Sequence, residues 1–403
     1  MATLRRDGVG ICATIFALFA VVDVSSLLVR VDFDASRLVR AGPPLTDPAA
    51  TLPSLTVVPT AWTFDGQFFY RLAVSPFSTA SQVAGVSFDV PALRGTRLGM
   101  GVLGYVLSLG QSALVPISLV VVNVLGMTVL GALAGYLAQA LGRHPSWGLT
   151  MLIWPGFAYT LAVDTAEIVA AVALVGALLA LRSGHMFWAV AGLTLAVLTR
   201  ESTIAVAAGI GIGALTFLIL HRVRPQTRET TRSAAISGIV ASGFAGIAFL
   251  AVQLYGVAQF GVVPLLASGE SNLGVPFTGI VGGVARAFPP TSPGQILDIS
   301  SLALILLLVV GGAVALHRSR ATIMEKGAWI VSAVLMLSIT GPWISAPSSM
   351  RAGTELYILT VVVVLAVPRS RMPRVLLTTA IGFVVLVWIL TVGTMLARVP
   401  QAL

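Results

Sequence analysis

Residues 61–71, Ala61-Trp62-Thr63-Phe64-Asp65-Gly66-Gln67-Phe68-Phe69-Tyr70-Arg71, form a polar and aromatic island between two strongly apolar stretches. A carboxylate set among aromatics, with arginines further along the same loop, is equipped to handle a sugar beside a phosphate. Asp65 is the candidate general base, because apolar walls raise a carboxylate's proton affinity toward values useful for taking a hydroxyl proton. The competing structural reading is a loop-capping Asp in an Asp-Gly turn. Arg94 and Arg97 stand three residues apart at the start of an apolar helix, so both can share one helical face. A guanidinium fork is shaped to hold a phosphate that gains charge as a sugar leaves, although arginines at such a boundary also anchor to lipid headgroups.

Weaker candidates lie downstream. Asp164 and Glu167 are three apart at the start of an apolar run, where capping and the helix dipole explain acids cheaply. Contact with an acceptor hydroxyl, or with a divalent cation bridging the phosphate, is the alternative. Arg200-Glu201 reads as an ion pair at a hairpin tip, with a structural or a functional role. Arg351 follows Gly341-Pro342-Trp343 in a short loop where a second phosphate or lipid contact can enter. Trp62, Phe68, Phe69 and Tyr70 either stack on sugar faces or seat the loop on a bilayer. Gly209, Gly211 and Gly213 lie in an apolar run without a preceding strand, so they read as close helix packing and not as a phosphate loop, as do Gly131 and Gly135.

The elements that must position these groups are apolar. The chain has 403 residues, 57% of them hydrophobic and 10% charged, with a mean hydropathy of +0.97, too little polar residue to cover a soluble globule. It is expected to be an all-α polytopic integral membrane protein. Apolar segments near 9–29, 113–140, 147–163, 164–181, 186–199, 202–220, 234–255, 300–316, 327–341, 354–367 and 375–396 predict about 11 transmembrane helices. The run 98–110 is too short to cross and reads as interfacial or re-entrant. Arg5 and Arg6 before the first run resemble a signal-peptide start, but Asp23 interrupts it and no cleavage site follows, so a retained helix is expected.

Charge supports this layout. With a cytoplasmic N-terminus, the loops at 143–144, 182–185, 221–232, 317–326 and 369–374 gather the basic residues inside, together with all four histidines. Only Asp7, Glu229 and Glu325 fall on that side, leaving twelve of the fifteen acids toward the outside. The net charge of +9 therefore reports topology and not nucleic acid. Two long outer loops, 30–97 and 256–299, have room for a site, and chemistry is expected there. The single cysteine, Cys12, allows no intramolecular disulfide, and no CxxC or HExxH spacing appears.

The stretch Phe64-Asp65-Gly66-Gln67-Phe68-Phe69-Tyr70-Arg71-Leu72-Ala73, followed by Ser75-Pro76 and Leu93-Arg94-Gly95-Thr96-Arg97, resembles the bacterial envelope-glycan proteins of GT-C glycosyltransferase type. The resemblance extends more loosely to Trp154-Pro155-Gly156-Phe157 with Asp164 and Glu167, to Thr199-Arg200-Glu201, and to Arg351 and Glu355. It implies a GT-C-like module over 1–255, with first outer loop 30–97, and a C-terminal membrane region over 256–403. It also implies a polyprenyl-phosphate sugar donor, a glycan or lipid acceptor, and action at the outer face of a bacterial plasma membrane. Carried over by position, Asp65 is the base, while Arg94, Arg97, Gln67, Tyr70, Arg71, Asp164, Glu167, Arg200, Glu201 and Arg351 are substrate or phosphate contacts. No cofactor is implied with certainty, a divalent cation such as Mg or Mn being compatible. This chain has Leu93 where an aromatic is expected and Gly99-Met100-Gly101 where a proline is expected, which leaves the shape of the run 98–110 open. The alternatives from other classes are a transporter or flippase of lipid-linked glycans and a non-catalytic envelope-assembly protein.

Overall fold

The computed structural model describes residues 2–60, 63–223, 231–267, 273–368, 380–390 and 392. Trp62, residues 224–230 of the basic loop 221–232, the basic loop 369–374, and residues 375–379, 391 and 393–396 of the apolar run 375–396 lie outside the described residues.

Among the described residues, regular structure is helical apart from one short hairpin. Helix α1 (Ala2–Arg30) leads into the first long loop, which holds α2 (Gly66–Val74), the strands β1 (Gln82–Val83) and β2 (Val86–Ser87), and the single turn α3 (Pro91–Arg94). Helices α4 (Leu98–Leu107), α5 (Val115–Ala140), α6 (Pro155–Val163), α7 (Glu167–Ser183), α8 (Met186–Thr199), α9 (Thr203–Val223) and α10 (Arg232–Phe260) follow. The remainder is α11 (Thr278–Ala287), α12 (Pro293–Arg318), α13 (Ile323–Ser338), α14 (Ala346–Ala352) and α15 (Thr354–Leu365).

Among the described residues, five helical stretches are long and apolar enough to cross a membrane: Asp7–Arg30, Ser112–Ala140, Thr203–Leu220, Arg232–Phe260 and Pro293–Arg318. A sixth is obtained if α14 and α15, bent by 53° at Gly353, count as one span. This is fewer than the eleven segments read from hydropathy, because several apolar runs fold as shorter pieces. The run 147–163 is not one helix: a 3-10 stretch, Pro145–Ile153, ends at Trp154, and Pro155 opens the nine-residue α6. Helices α7, α8 and α13 have 17, 14 and 16 residues. Helix α4, at ten residues, is a short apolar helix, as the sequence suggested for that run.

Backbone proximity organises the packing. A Cβ on Gly209 would collide with the Gly327 carbonyl oxygen and lie 2.5 Å from Ala328 Cα, and one on Gly213 would lie 2.5 Å from the Ile323 oxygen. Small residues thus let α9 and α13 touch through their backbones. Helix α10 runs unbroken past residue 255 to Phe260, and α9 and α13 share one core, so the segments on either side of 255 are packed together. A second, smaller core joins the first loop to this body: Phe68, Phe69, Tyr70 and Leu72 of α2 pack with Met100, Leu119, Val122 and Val169.

Gly209→Ala is expected to lower the thermal stability of the detergent-solubilised protein by about 1–3 kcal/mol, because the helices must part to admit the methyl group. Gly243→Ala meets nothing within 4 Å, and its melting temperature should stay level or rise slightly.

Candidate active site

Asp65 is placed by its neighbours on both sides. A Cβ on Gly66 would strike the Val163 carbonyl oxygen and lie 2.6 Å from that of Val39, so only glycine lets the start of α2 enter between the end of α6 and the turn before the loop. Asp65 occupies the N-cap position of α2 but makes no capping hydrogen bond. Its carboxylate is turned outward to two arginines instead, which removes the capping explanation for this residue.

Arg94 Nη1 donates to Asp65 Oδ2 at 3.1 Å, and Arg351 Nη2 donates to the same oxygen at 3.2 Å. Asp65 Oδ1 takes no hydrogen bond from the described residues, and the side chain is a quarter exposed. Arg94 is gripped from its other side by both oxygens of Asp89, at 2.9 Å each, and stacks over Phe68. Arg351 Nε donates to Glu167 Oε1 at 2.8 Å, and Phe64 covers the guanidinium.

The network continues inward. Arg200 Nη1 lies 3.4 Å from Glu355 and 4.0 Å from Glu167, and donates to the Arg351 carbonyl oxygen at 2.9 Å. Ser202 donates to Glu355 at 3.0 Å, and Thr160 donates to the second oxygen of Glu167 at 3.0 Å. Arg97 forms a two-point pair with Glu201 at 2.8 and 2.5 Å. This pair depends on the Gly99-Met100-Gly101 run: Cβ atoms at Gly99 and Gly101 would strike Thr199 and Leu72, so the glycines let α4 lie against both α8 and α2.

Five carboxylates (Asp65, Asp89, Glu167, Glu201, Glu355) thus face four guanidiniums (Arg94, Arg97, Arg200, Arg351). Burial alone would raise Asp65, but Arg94, then Arg351 and Arg97, outweigh it and hold the carboxyl far below its usual range. The sequence-based expectation of a raised value is overturned, because arginines and not the aromatic walls dominate its surroundings. Glu201 is likewise lowered: burial opposes this, and Arg97 reverses it.

Asp65, Arg94, Arg97, Glu167, Arg200, Glu201 and Arg351 are therefore gathered into one constellation from segments nearly 290 residues apart, since the Arg351–Asp65 bond spans 286. Other candidates are engaged elsewhere. Gln67 is buried and accepts from Thr46 at 2.9 Å. Arg71 donates to the carbonyl oxygens of Ala80, Ser81 and Val86, tying down the hairpin, and burial pulls it down to about 10. Tyr70, Phe68 and Phe69 are buried in the loop's own core, so none of the three offers a free face to a sugar.

Asp164 does not cap α7; it closes α6 in a left-handed conformation, with Ala166 at the α7 cap. The two oxygens of Glu167 are held by Arg351 and Thr160. Among the described residues there is no group of three or more His, Cys, Asp or Glu side chains set to hold a metal ion. Asp89 is the member the sequence did not single out; its spacing of five residues before Arg94, across the Pro91 turn, was the available signal.

Helix α7 carries Glu167 in its first turn and Arg182 in its last, so roughly 25 Å of helix separates the network from the opposite end of the bundle. There Arg182 pairs with Glu325 at 2.5 Å, and Arg143 donates to the Leu365 oxygen at 2.7 Å. No family model, curated protein or solved structure matches the chain.

Arg351→Ala leaves the buried Glu167 carboxylate with only Thr160 and the more distant Arg200, and Asp65 with Arg94 alone, an expected loss of about 3–5 kcal/mol. Adding Glu167→Gln removes the stranded charge and should recover part of that loss in a double-mutant melting cycle. The pH dependence follows from the lowered Asp65. Its pairing is fully formed above the unfolded carboxyl value of about 4 and is lost only as pH falls through the lower folded value. The melting difference between wild type and Asp65→Asn should therefore hold constant from pH 8 to 5 and shrink only in stronger acid.

Proposed function

We propose that this chain is a membrane glycosyltransferase of the GT-C type, moving a sugar from a polyprenyl-phosphate donor to an envelope glycan or lipid acceptor at the outer face of a bacterial membrane. The observation that carries this reading is the sharing of one Asp65 oxygen between Arg94 and Arg351 while the other oxygen stays open. A base for the acceptor hydroxyl and two cations for the departing phosphate then lie within one hydrogen bond of each other. The finer architecture proposed with it is the eleven-span layout, with the N-terminus inside and the network at the outer rim. The placement of Glu167 and Arg182 at opposite ends of α7 supports that orientation.

The reaction is a single inverting displacement. Asp65 Oδ1 accepts the proton of the acceptor hydroxyl as its oxygen attacks the anomeric carbon. The carbon–oxygen bond to phosphate breaks, and the electron pair leaves on the phosphate, whose charge Arg94 and Arg351 stabilise. No covalent enzyme intermediate is needed. Charge balance adds a condition: with five carboxylates against four guanidiniums, the network has no surplus positive charge for a phosphate. The donor must therefore take the arginines from Asp65. As they turn to the phosphate, Asp65 loses the interactions that depress it and becomes a stronger base, so donor binding prepares the carboxylate for its task. Arg97, Arg200 and the paired acids Glu201 and Glu355 hold the arrangement in place.

Membranes expressing the protein should transfer radiolabelled sugar from polyprenyl-phosphate donors into envelope material. Asp65→Asn at matched protein level should lose transfer by at least about 100-fold, the scale of a missing general base, while still binding donor. Arg94→Ala should weaken both. Full transfer by Asp65→Asn would contradict the assignment. Labelled lipid crossing the bilayer without being consumed would replace it with transport.

A further inference from the structure

We propose that Asp164 and Asn123 hold one monovalent cation at the buried break between α6 and α7. The inference stands independently of the reaction assigned to the neighbouring network.

Helix α6 ends at Val163 and α7 begins at Glu167, with Asp164 between them at φ 45°, ψ 55°. Left-handed backbone is uncommon outside glycine, although Asp tolerates it better than most residues. Asp164, Thr165 and Asn123 are all fully buried. Asn123, within α5, interacts with the Asp164 carboxyl group but does not reach direct hydrogen-bond distance. The Thr165 hydroxyl interacts with Glu167, but neither oxygen of Asp164 nor the amide oxygen or nitrogen of Asn123 has a partner at direct hydrogen-bond distance among the described residues. Buried polar groups are almost always paired, so four unpaired atoms on Asp164 and Asn123 at this helix break point to a missing partner.

The chemistry of that partner follows from the donors. No arginine forms an ion pair with Asp164 among the described residues; those nearby are committed to Glu167, three positions on. The amides of Asp164 and Thr165 both turn back to the Thr160 oxygen, so the later carbonyls of α6 are left to other donors. A helix C-terminus carries partial negative charge, and carbonyls at a broken helix combined with a carboxylate are known to coordinate small cations. The Asp164 carboxylate, the Asn123 amide oxygen and the negative end of α6 thus favour positive charge here. One carboxylate with neutral oxygens is neutralised by a single positive charge, which limits the cost of burying it. A divalent ion would want more carboxylates than the one available.

The site also has a consequence for the network. Asp164 and Glu167 belong to one short turn, so a cation fixing Asp164 would fix the turn that presents Glu167 to Arg351.

The test is thermal unfolding of the purified full-length protein in detergent, with NaCl, KCl, LiCl, MgCl2 or CaCl2 titrated against N-methylglucamine chloride at constant ionic strength. The expected result is saturable stabilisation of wild type by one of the monovalent ions, with its half-saturation weakened at least tenfold in Asp164→Asn. Asn123→Asp supplies a second carboxylate and should shift the preference to Ca2+ or Mg2+. If no monovalent ion stabilises wild type, Asp164 and Asn123 are a neutral acid–amide pair and the proposal fails, whatever the variants do. Stabilisation of wild type by divalent ions alone, or an unchanged half-saturation in Asp164→Asn, equally overturns it.

Discussion

The arrangement depends on Arg351. Its guanidinium bridges Asp65, in the first loop, to Glu167, at the buried start of α7, and its carbonyl oxygen receives Arg200. One residue, through its side chain and its backbone carbonyl, therefore ties the first loop, the α6–α7 break, the α8–α9 turn and the bent α14–α15 pair to a single point. A buried arginine is tolerable only when its charge is compensated at close range, and here the two carboxylates supply that compensation. Because the partners come from such distant segments, the network can form only after the helices have packed. It reports on the completed fold and does not direct its early steps.

Packing brings Arg351 to this point through aromatic and backbone contacts. Gly353, at the bend between α14 and α15, lies against the Trp154 ring, and Trp154 donates to Thr354 at 3.1 Å and stacks on Tyr357 with centroids 4.6 Å apart. Those contacts hold α15 against the start of α6. On the other side, α2 is pressed into the loop core by Phe68, Phe69 and Tyr70, and Gly66 lets it approach the α6 terminus. The aromatics of the motif serve as the seat of the carboxylate more than as its reaction partners.

Much of the site was legible in the sequence because charge is rare in this chain. When only 10% of residues are charged, an acid or arginine next to an apolar run needs a reason, and Asp65, Arg94, Arg97, Glu167, Arg200, Glu201 and Arg351 share one. Sequence could not show which charges pair, since Asp65 and Arg351 are 286 residues apart. It therefore misjudged the sign of the Asp65 perturbation. It also placed Arg71 with the phosphate contacts, because adjacency in a motif says nothing about which way a side chain leaves a helix. Hydropathy located the apolar runs well, but it could not foresee that Pro155 would begin a separate helix, or that Asp164 would close α6 and not open α7.

In the proposed mechanism a lipid phosphate takes Arg94 and Arg351 from Asp65, leaving the carboxylate free to act on the acceptor. The most direct measurement is an experimental structure of the protein with a non-transferable polyprenyl-phosphate sugar analogue. The expected result is phosphate oxygens within hydrogen-bond distance of Arg94 and Arg351, with Asp65 released from at least one of them and turned toward the anomeric carbon. A phosphate bound away from both arginines, with the Asp65 pairs intact, would contradict it.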